Sequence, residues 1–219
     1  AQNRKVYARH GVRGEQFGVS YAELGRLKKK IGIDHELAVG LWASGNHDAR
    51  ILATMVADPA AMTSRQLDAW ARDLDSYVVA DALGSLVLRG PHARRKFEAW
   101  KNRRAEFTAA CGWNLLAGLA LDEDLELEGK WLREQLAVIK AEINGRPNRV
   151  RHSMNQALIA IGVRDGALEK AALAAAKKIG KVEVDHGQTS CRTPDAAGYI
   201  ARTLAHRAQK KPRRKRTGC

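Results

Sequence analysis

Alternation of apolar and polar residues, the mark of a half-buried strand, is nearly absent from these 219 residues. Only the neighbourhood of Val182 and Val184 looks extended, so a sheet architecture is excluded. No apolar run approaches the ~18 uninterrupted residues of a membrane-spanning helix, and the first residues lack a charged-then-apolar leader pattern. The cysteines, Cys111, Cys191 and Cys219, are odd in number and widely spaced, which argues against a disulfide framework and suits a reducing, intracellular compartment. No paired spacing such as CxxC occurs. Asp185, His186 and Cys191, even joined by Glu183 and Cys111, therefore make a poor metal site, and neither metal nor cofactor is expected. After Asp195 there is no acidic residue at all.

Positive charge is what the chain has in excess. Lys and Arg number 38 against 24 Asp and Glu, a net charge of +14 that attracts polyanions at long range. Nucleic acid is the leading partner class; solubility and an anionic membrane surface are the other uses of such charge. The cations gather at the two ends: Arg4, Lys5, Arg9 and Arg13, then Arg26, Lys28, Lys29 and Lys30, and finally Lys210, Lys211, Arg213, Arg214, Lys215 and Arg216. The last group surrounds Pro212 and repels itself, which predicts a single domain over 1–208 followed by a basic disordered arm over 209–219 that anchors phosphates by counterion release. A nuclear localisation signal has the same composition, so the expected location is cytoplasmic in a bacterial-type cell and nuclear in a eukaryotic one.

Ala- and Leu-rich segments with apolar residues three and four apart recur throughout. They predict helices at about 20–31, 34–44, 47–57, 63–72, 75–88, 92–101, 104–121, 127–144, 147–162, 165–179 and 194–207. Ser20, Asp34, Asn46 and Ser64 are predicted N-caps, with Thr193 capping the last helix and Pro194 at its first position. The helix openings that begin at His47, Ser76, Ala105 and Asn148, polar first and apolar after, recur about 30, 30 and 43 residues apart, in the range of helical-pair repeats. Short connections make antiparallel hairpins that bury their apolar faces on one another, an all-α solenoid rather than a compact bundle. Trp42, Trp70, Trp100, Trp113 and Trp131 are expected as packing anchors, and Arg50 as held by a carboxylate, Glu36 being within reach if the helices pack closely, or by helix-end carbonyls. The acidic turn Asp122, Glu123, Asp124, Glu126 and Glu128 is expected to lie away from any phosphate backbone.

The stretches Asp34-His35-Glu36-Leu37-Ala38, Leu41-Trp42-Ala43-Ser44 and Asp48-Ala49-Arg50-Ile51-Leu52-Ala53 resemble the N-terminal signature of the AlkD-type DNA alkylation repair family. Two later segments, Asp75 to Asp81 and Val150 to Gly162, extend the resemblance over about residues 20–205. It implies a HEAT-like α-α superhelix whose basic concave face cradles duplex DNA, and in active members the excision of N3- or N7-alkylated purines. A monomer is expected. Tyr77 and Asp81 stand one helical turn apart, on one face. Together they can address one deoxyribose: cleavage of an N-glycosidic bond builds positive charge on the sugar, which a carboxylate stabilises. Taken without the resemblance, the same pair reads as a half-buried ring and an exposed acid. Where active members carry an arginine and a second tryptophan, this chain aligns with Ala110 and Gln156, and Tyr77 itself stands in a usual tryptophan position. Arg149, Arg151, His152 and Asn155 are candidate DNA contacts on a later helix, beside Lys28, Lys29 and Lys30. A non-catalytic binder of DNA structures on the same scaffold, or a scaffold for a protein or RNA partner, stays open beside the glycosylase.

Overall fold

A computed structural model describes residues 2–209; the cationic run 210–216 lies outside the described residues. Among these are twelve α-helices and no strand: α1 (Gln2–Arg9), α2 (Tyr21–Ile31), α3 (His35–Ala43), α4 (His47–Val56), α5 (Ser64–Arg72), α6 (Tyr77–Leu88), α7 (Ala93–Trp100), α8 (Glu106–Leu121), α9 (Gly129–Glu142), α10 (Asn148–Gly162), α11 (Gly166–Ile179) and α12 (Ala196–Gln209). None is long and apolar enough to cross a membrane. Three predicted caps form: the side chains of Ser20, Asp34 and Asn46 accept from the N–H groups of Glu23, Leu37 and Asp48 at 3.2, 2.9 and 3.1 Å. Ser64 is instead the first helical residue. Thr63 caps α5 in a capping box with Gln66, because the two side chains satisfy each other's backbone N–H. At the last helix, Asp195 takes the capping position expected of Thr193, accepting from Gly198 N–H at 2.7 Å, while the Thr193 hydroxyl meets His186 Nε2 at 2.9 Å.

Helix α1 has no counterpart in the sequence-based prediction. Its eight residues bury only Tyr7, too short and too polar a stretch for an apolar period to show.

Helices α3, α5, α7, α9 and α11 alternate with α4, α6, α8, α10 and α12, and contacts in the second set run in sequence order, α4 to α6, α6 to α8, α8 to α10 and α10 to α12. That is a HEAT-like superhelix with an inner and an outer layer. The four recurrent openings head the inner helices α4, α6, α8 and α10; the wider last interval holds the 16-residue α8, the acidic turn and the 14-residue α9.

Polar bonds repeat along both layers. On the outside, the indole N–H groups of Trp42, Trp100 and Trp131 donate to Asp73, Asp68 and Glu98 at 2.9, 2.8 and 3.0 Å, each tying one outer hairpin to a neighbour. On the inside, Arg89, Arg164 and Arg207 reach from the end of one inner helix to carbonyls ending the preceding one, Thr54, Ala120 and Val163, at 2.6, 2.9 and 2.8 Å. Cations there satisfy orphan carbonyls and oppose the negative end of the helix dipole. Trp42 also stacks on Trp70 with centroids 4.2 Å apart, as expected of packing anchors. Arg50 does not reach Glu36; it donates to the Asp73 carbonyl at 3.1 Å and to Asp75 at 3.5 Å, since its helix packs beside the end of α5.

Candidate nucleic-acid interface

The N-terminal segment is fastened to the inner layer by one side chain. Asp48, buried in the first turn of α4, accepts the N–H groups of Phe17, Gly18 and Val19 at 2.6, 2.9 and 3.0 Å. The Tyr7 hydroxyl donates to the Val19 carbonyl, and its ring lies 5.2 Å from that of His47. This anchorage sets α1 beside α6 and carries His10 to Tyr77. Replacing Asp48 by alanine is expected to cost about 2 kcal/mol, the worth of charge-assisted bonds, and to raise amide hydrogen exchange over residues 2–19 while α8 and α10 stay protected.

Three hollows sharing residues form a groove along the inner layer. The largest, about 780 Å³, is bounded by α1, α2, α4 and α6. A second, about 480 Å³, joins it at His10 and Tyr77 and extends past Arg149 to residues 185–187. A third, about 300 Å³, joins at Asp81 and Ser85 and is closed by Asn114, His152 and Gln156. Arg9, Arg13, Lys28, Arg89 and Arg149 line the first two, with Asp75, Asp81, Glu106 and Asp185 among them.

Tyr77 and Asp81 are the first and fifth residues of α6, which Ser76 caps. The hydroxyl of Tyr77 bonds His10 Nδ1, and the Arg149 guanidinium lies over its ring, 3.7 Å from the centroid. Burial raises the tyrosine's pKa against the opposing pull of Arg149. Water reaches Asp81, yet protein walls the carboxylate on several sides. That crowding pushes its pKa up to about 6, against the opposing effects of Arg149 and of Asn114, whose amide donates to Oδ1 at 2.7 Å. Tyr21 shows half its surface to the groove, and its hydroxyl is pushed up to about 12, by burial first and then by Tyr7 and Asp81.

Ala110 is 2% exposed in the core, and the side chain meeting Asp81 comes from the next turn of α8. On α10, His152 and Gln156 face the groove, whereas Asn155 is turned inward, 1% exposed, with its amide donating to the Pro194 carbonyl at 3.0 Å. Asn155 thus ties the 181–195 segment to α10. Arg151 is half-buried and donates to Asn148 at 3.4 Å. His152 packs edge-on against His186, centroids 5.4 Å apart, and is pushed down to about 4 by burial, Arg149 and His186 in that order. Lys28 lines the largest hollow; Lys29 and Lys30 are exposed at the end of α2.

Sequence reasoning passed over Asn114, Tyr21 and His10. Asn114 carried a legible signal, a lone amide in the apolar run from Ala109 to Leu121. Tyr21 and His10 owe their place to α1 and α2 folding over the groove, which no local pattern announces.

The titration of Asp81 has a defined sign. The folded chain holds this proton up to about pH 6 and an unfolded chain releases it near 3.8, so wild type loses stability relative to Asp81→Asn as pH rises between those values, with a constant difference above. Thermal melts of both proteins across that range test this.

A sequence-family model for the DNA alkylation repair enzymes matches residues 1–200. The chain belongs to that family. The uncharacterized protein Lin0241 of Listeria innocua is 30% identical over 203 residues, 90% of this chain and 88% of its own. Lmo0209 of Listeria monocytogenes is 29% identical over the same shares. A solved structure, described as a new family of proteins related to the HEAT-like repeat DNA glycosylases with affinity for branched DNA structures, is similar with a TM-score of 0.84 and 26% identity, over 94% of this chain and 88% of that one.

Proposed function

We propose that this protein binds DNA along its inner groove and recognises branched or distorted DNA, rather than excising alkylated bases at speed. One observation carries the proposal: the Arg149 guanidinium lies over the Tyr77 ring, 3.7 Å from its centroid, and, among the described residues, no oxygen accepts from its N–H groups. A guanidinium held over a ring, with its two terminal Nη groups free of protein acceptors, suits a phosphate, which it binds through paired N–H donors. The same contact covers the ring face on which a cationic alkylpurine would stack, and a second cation there is repelled. Gln156 supplies no ring in its place. Family membership and the similarity to a protein with affinity for branched DNA support a DNA partner.

A second reading, slow hydrolysis of alkylpurines, is favoured by Asp81 itself. Its carboxylate, oriented by Asn114, is ionised above pH 6 and stands where it can stabilise an oxocarbenium-like sugar. Duplex DNA containing N3-methyladenine or N7-methylguanine separates the two: free base whose release stops in Asp81→Asn supports hydrolysis, and salt-sensitive binding without release supports the binder.

Lys28, Lys29 and Lys30 and the run 210–216 are proposed as phosphate anchors, the latter a basic arm beyond a single repeat domain. Six cations lie in that run. Truncation after Gln209 is expected to reduce the slope of log affinity against log salt by up to about 5. An unchanged slope in an affinity titration rules the arm out as an anchor.

A further inference from the structure

Rings and aliphatic side chains, Tyr7, Tyr21, Tyr77, Ile51 and Met55 among them, wall the 780 Å³ hollow, and one carboxylate, that of the exposed Asp81, belongs to the lining. Those rings and aliphatic walls offer nothing to a phosphodiester backbone; Lys28 and Arg89 are the cations in the lining. The rings do offer stacking faces, and Tyr21 stands half exposed among them, with α2 carrying the ring and Lys28 on one side of the hollow. Asp81 is only partly engaged. Asn114 donates to Oδ1, and Oδ2 receives no hydrogen bond among the described residues. From α2 and from the end of α6, Lys28 and Arg89 line the same hollow.

Resting on the DNA-binding proposal above, we infer that this hollow receives one unpaired nucleobase, stacked on Tyr21, with its hydrogen-bonding edge against Asp81 and its flanking phosphates near Lys28 and Arg89. Size permits it, since the hollow exceeds a nucleoside several-fold. Chemistry selects the base. A carboxylate is an acceptor with two oxygens, and guanine presents two adjacent donors, its ring N–H and its exocyclic amino group, where thymine presents one. Removing a base from a duplex costs unpairing and unstacking, and least where the base is already unpaired, so the hollow adds affinity at a bulge or branch point and nothing on an intact duplex. Base stacking on an aromatic side chain is of the size that decides such preferences.

The test uses the full chain and matched duplexes that are fully paired or carry a single-nucleotide bulge of guanine, thymine or an abasic analogue. Wild type is expected to bind the guanine bulge about tenfold tighter than the abasic bulge, the fold-change that one stacked base supplies. Tyr21→Ala brings that ratio close to one, Tyr21→Phe restores it, and Asp81→Asn removes the preference for guanine over thymine. A bulged 2-aminopurine is expected to lose fluorescence on binding wild type and to keep it with Tyr21→Ala. Equal wild-type affinity for guanine and abasic bulges overturns the base receptor while leaving groove binding intact. Absence of salt-sensitive binding to every duplex overturns the DNA-binding proposal with it. Because Tyr21 is half exposed, its variants keep the core, and matching melting curves confirm that a changed ratio reports on the hollow.

Discussion

Arg149→Gln is expected to weaken DNA binding about 10- to 100-fold, the worth of one charge-assisted phosphate contact of about 1.5–3 kcal/mol. The slope of affinity against salt should fall by about 1, as one cation leaves the interface. Stability should change little, because the guanidinium has no acceptor within the described protein and its Nε is buried without a partner. The substitution also uncovers the Tyr77 ring. Any residual excision of alkylpurines is therefore expected to rise while binding falls, a split that a merely structural arginine would not produce. Fluorescence anisotropy with a labelled duplex, beside assay of free base, reads both; unchanged affinity and slope would remove Arg149 from the interface.

In the outer layer, Asp68→Ala is expected to lower the unfolding free energy by about 3–5 kcal/mol, the cost of stranding a buried charge. The Lys96 ammonium, 2% exposed, contacts Asp68 and the Ser64 carbonyl, both at 2.7 Å, with the Trp100 ring 5.5 Å away. Trp100 N–H shares the same carboxylate, so the substitution orphans the indole donor and leaves the Lys96 ammonium with the Ser64 carbonyl but no counter-charge. Burial works against the Asp68 charge, but the bonds from Lys96 and Trp100 outweigh it and hold its pKa below the usual 3.8. Its contribution is accordingly complete above that pH and lost below it as the folded carboxylate protonates. Lys96→Met in the Asp68→Ala background should recover much of the loss, because no stranded ammonium then remains. Urea unfolding of wild type and the two variants measures this.

The helices and their pairing were legible because of their apolar residues three and four apart and, at α4 and α6, their side-chain caps. Asn46 before His47 and Ser76 before Tyr77 mark inner-helix starts from local chemistry alone. Tyr77 and Asp81 were legible as a pair because helical spacing fixes a shared face. What sequence does not encode locally is contact across the groove. His10 meets Tyr77 over 67 residues of chain separation, and Arg149 reaches the same ring from α10, two inner helices on. Those contacts depend on the stacking of the layers and on Asp48 drawing α1 inward. Asn114 stands one helical turn beyond Ala110, so the face of α8 was legible while the side chain that meets Asp81 was not.

Competition between a four-way junction and a linear duplex of equal length and sequence content, at fixed salt, addresses what the groove is for. A junction bound about tenfold or more tighter, with no free base released from alkylated duplex on the same timescale, is the expected result. Equal affinity for the two, together with release of N7-methylguanine that Asp81→Asn abolishes, would instead make the groove a glycosylase site.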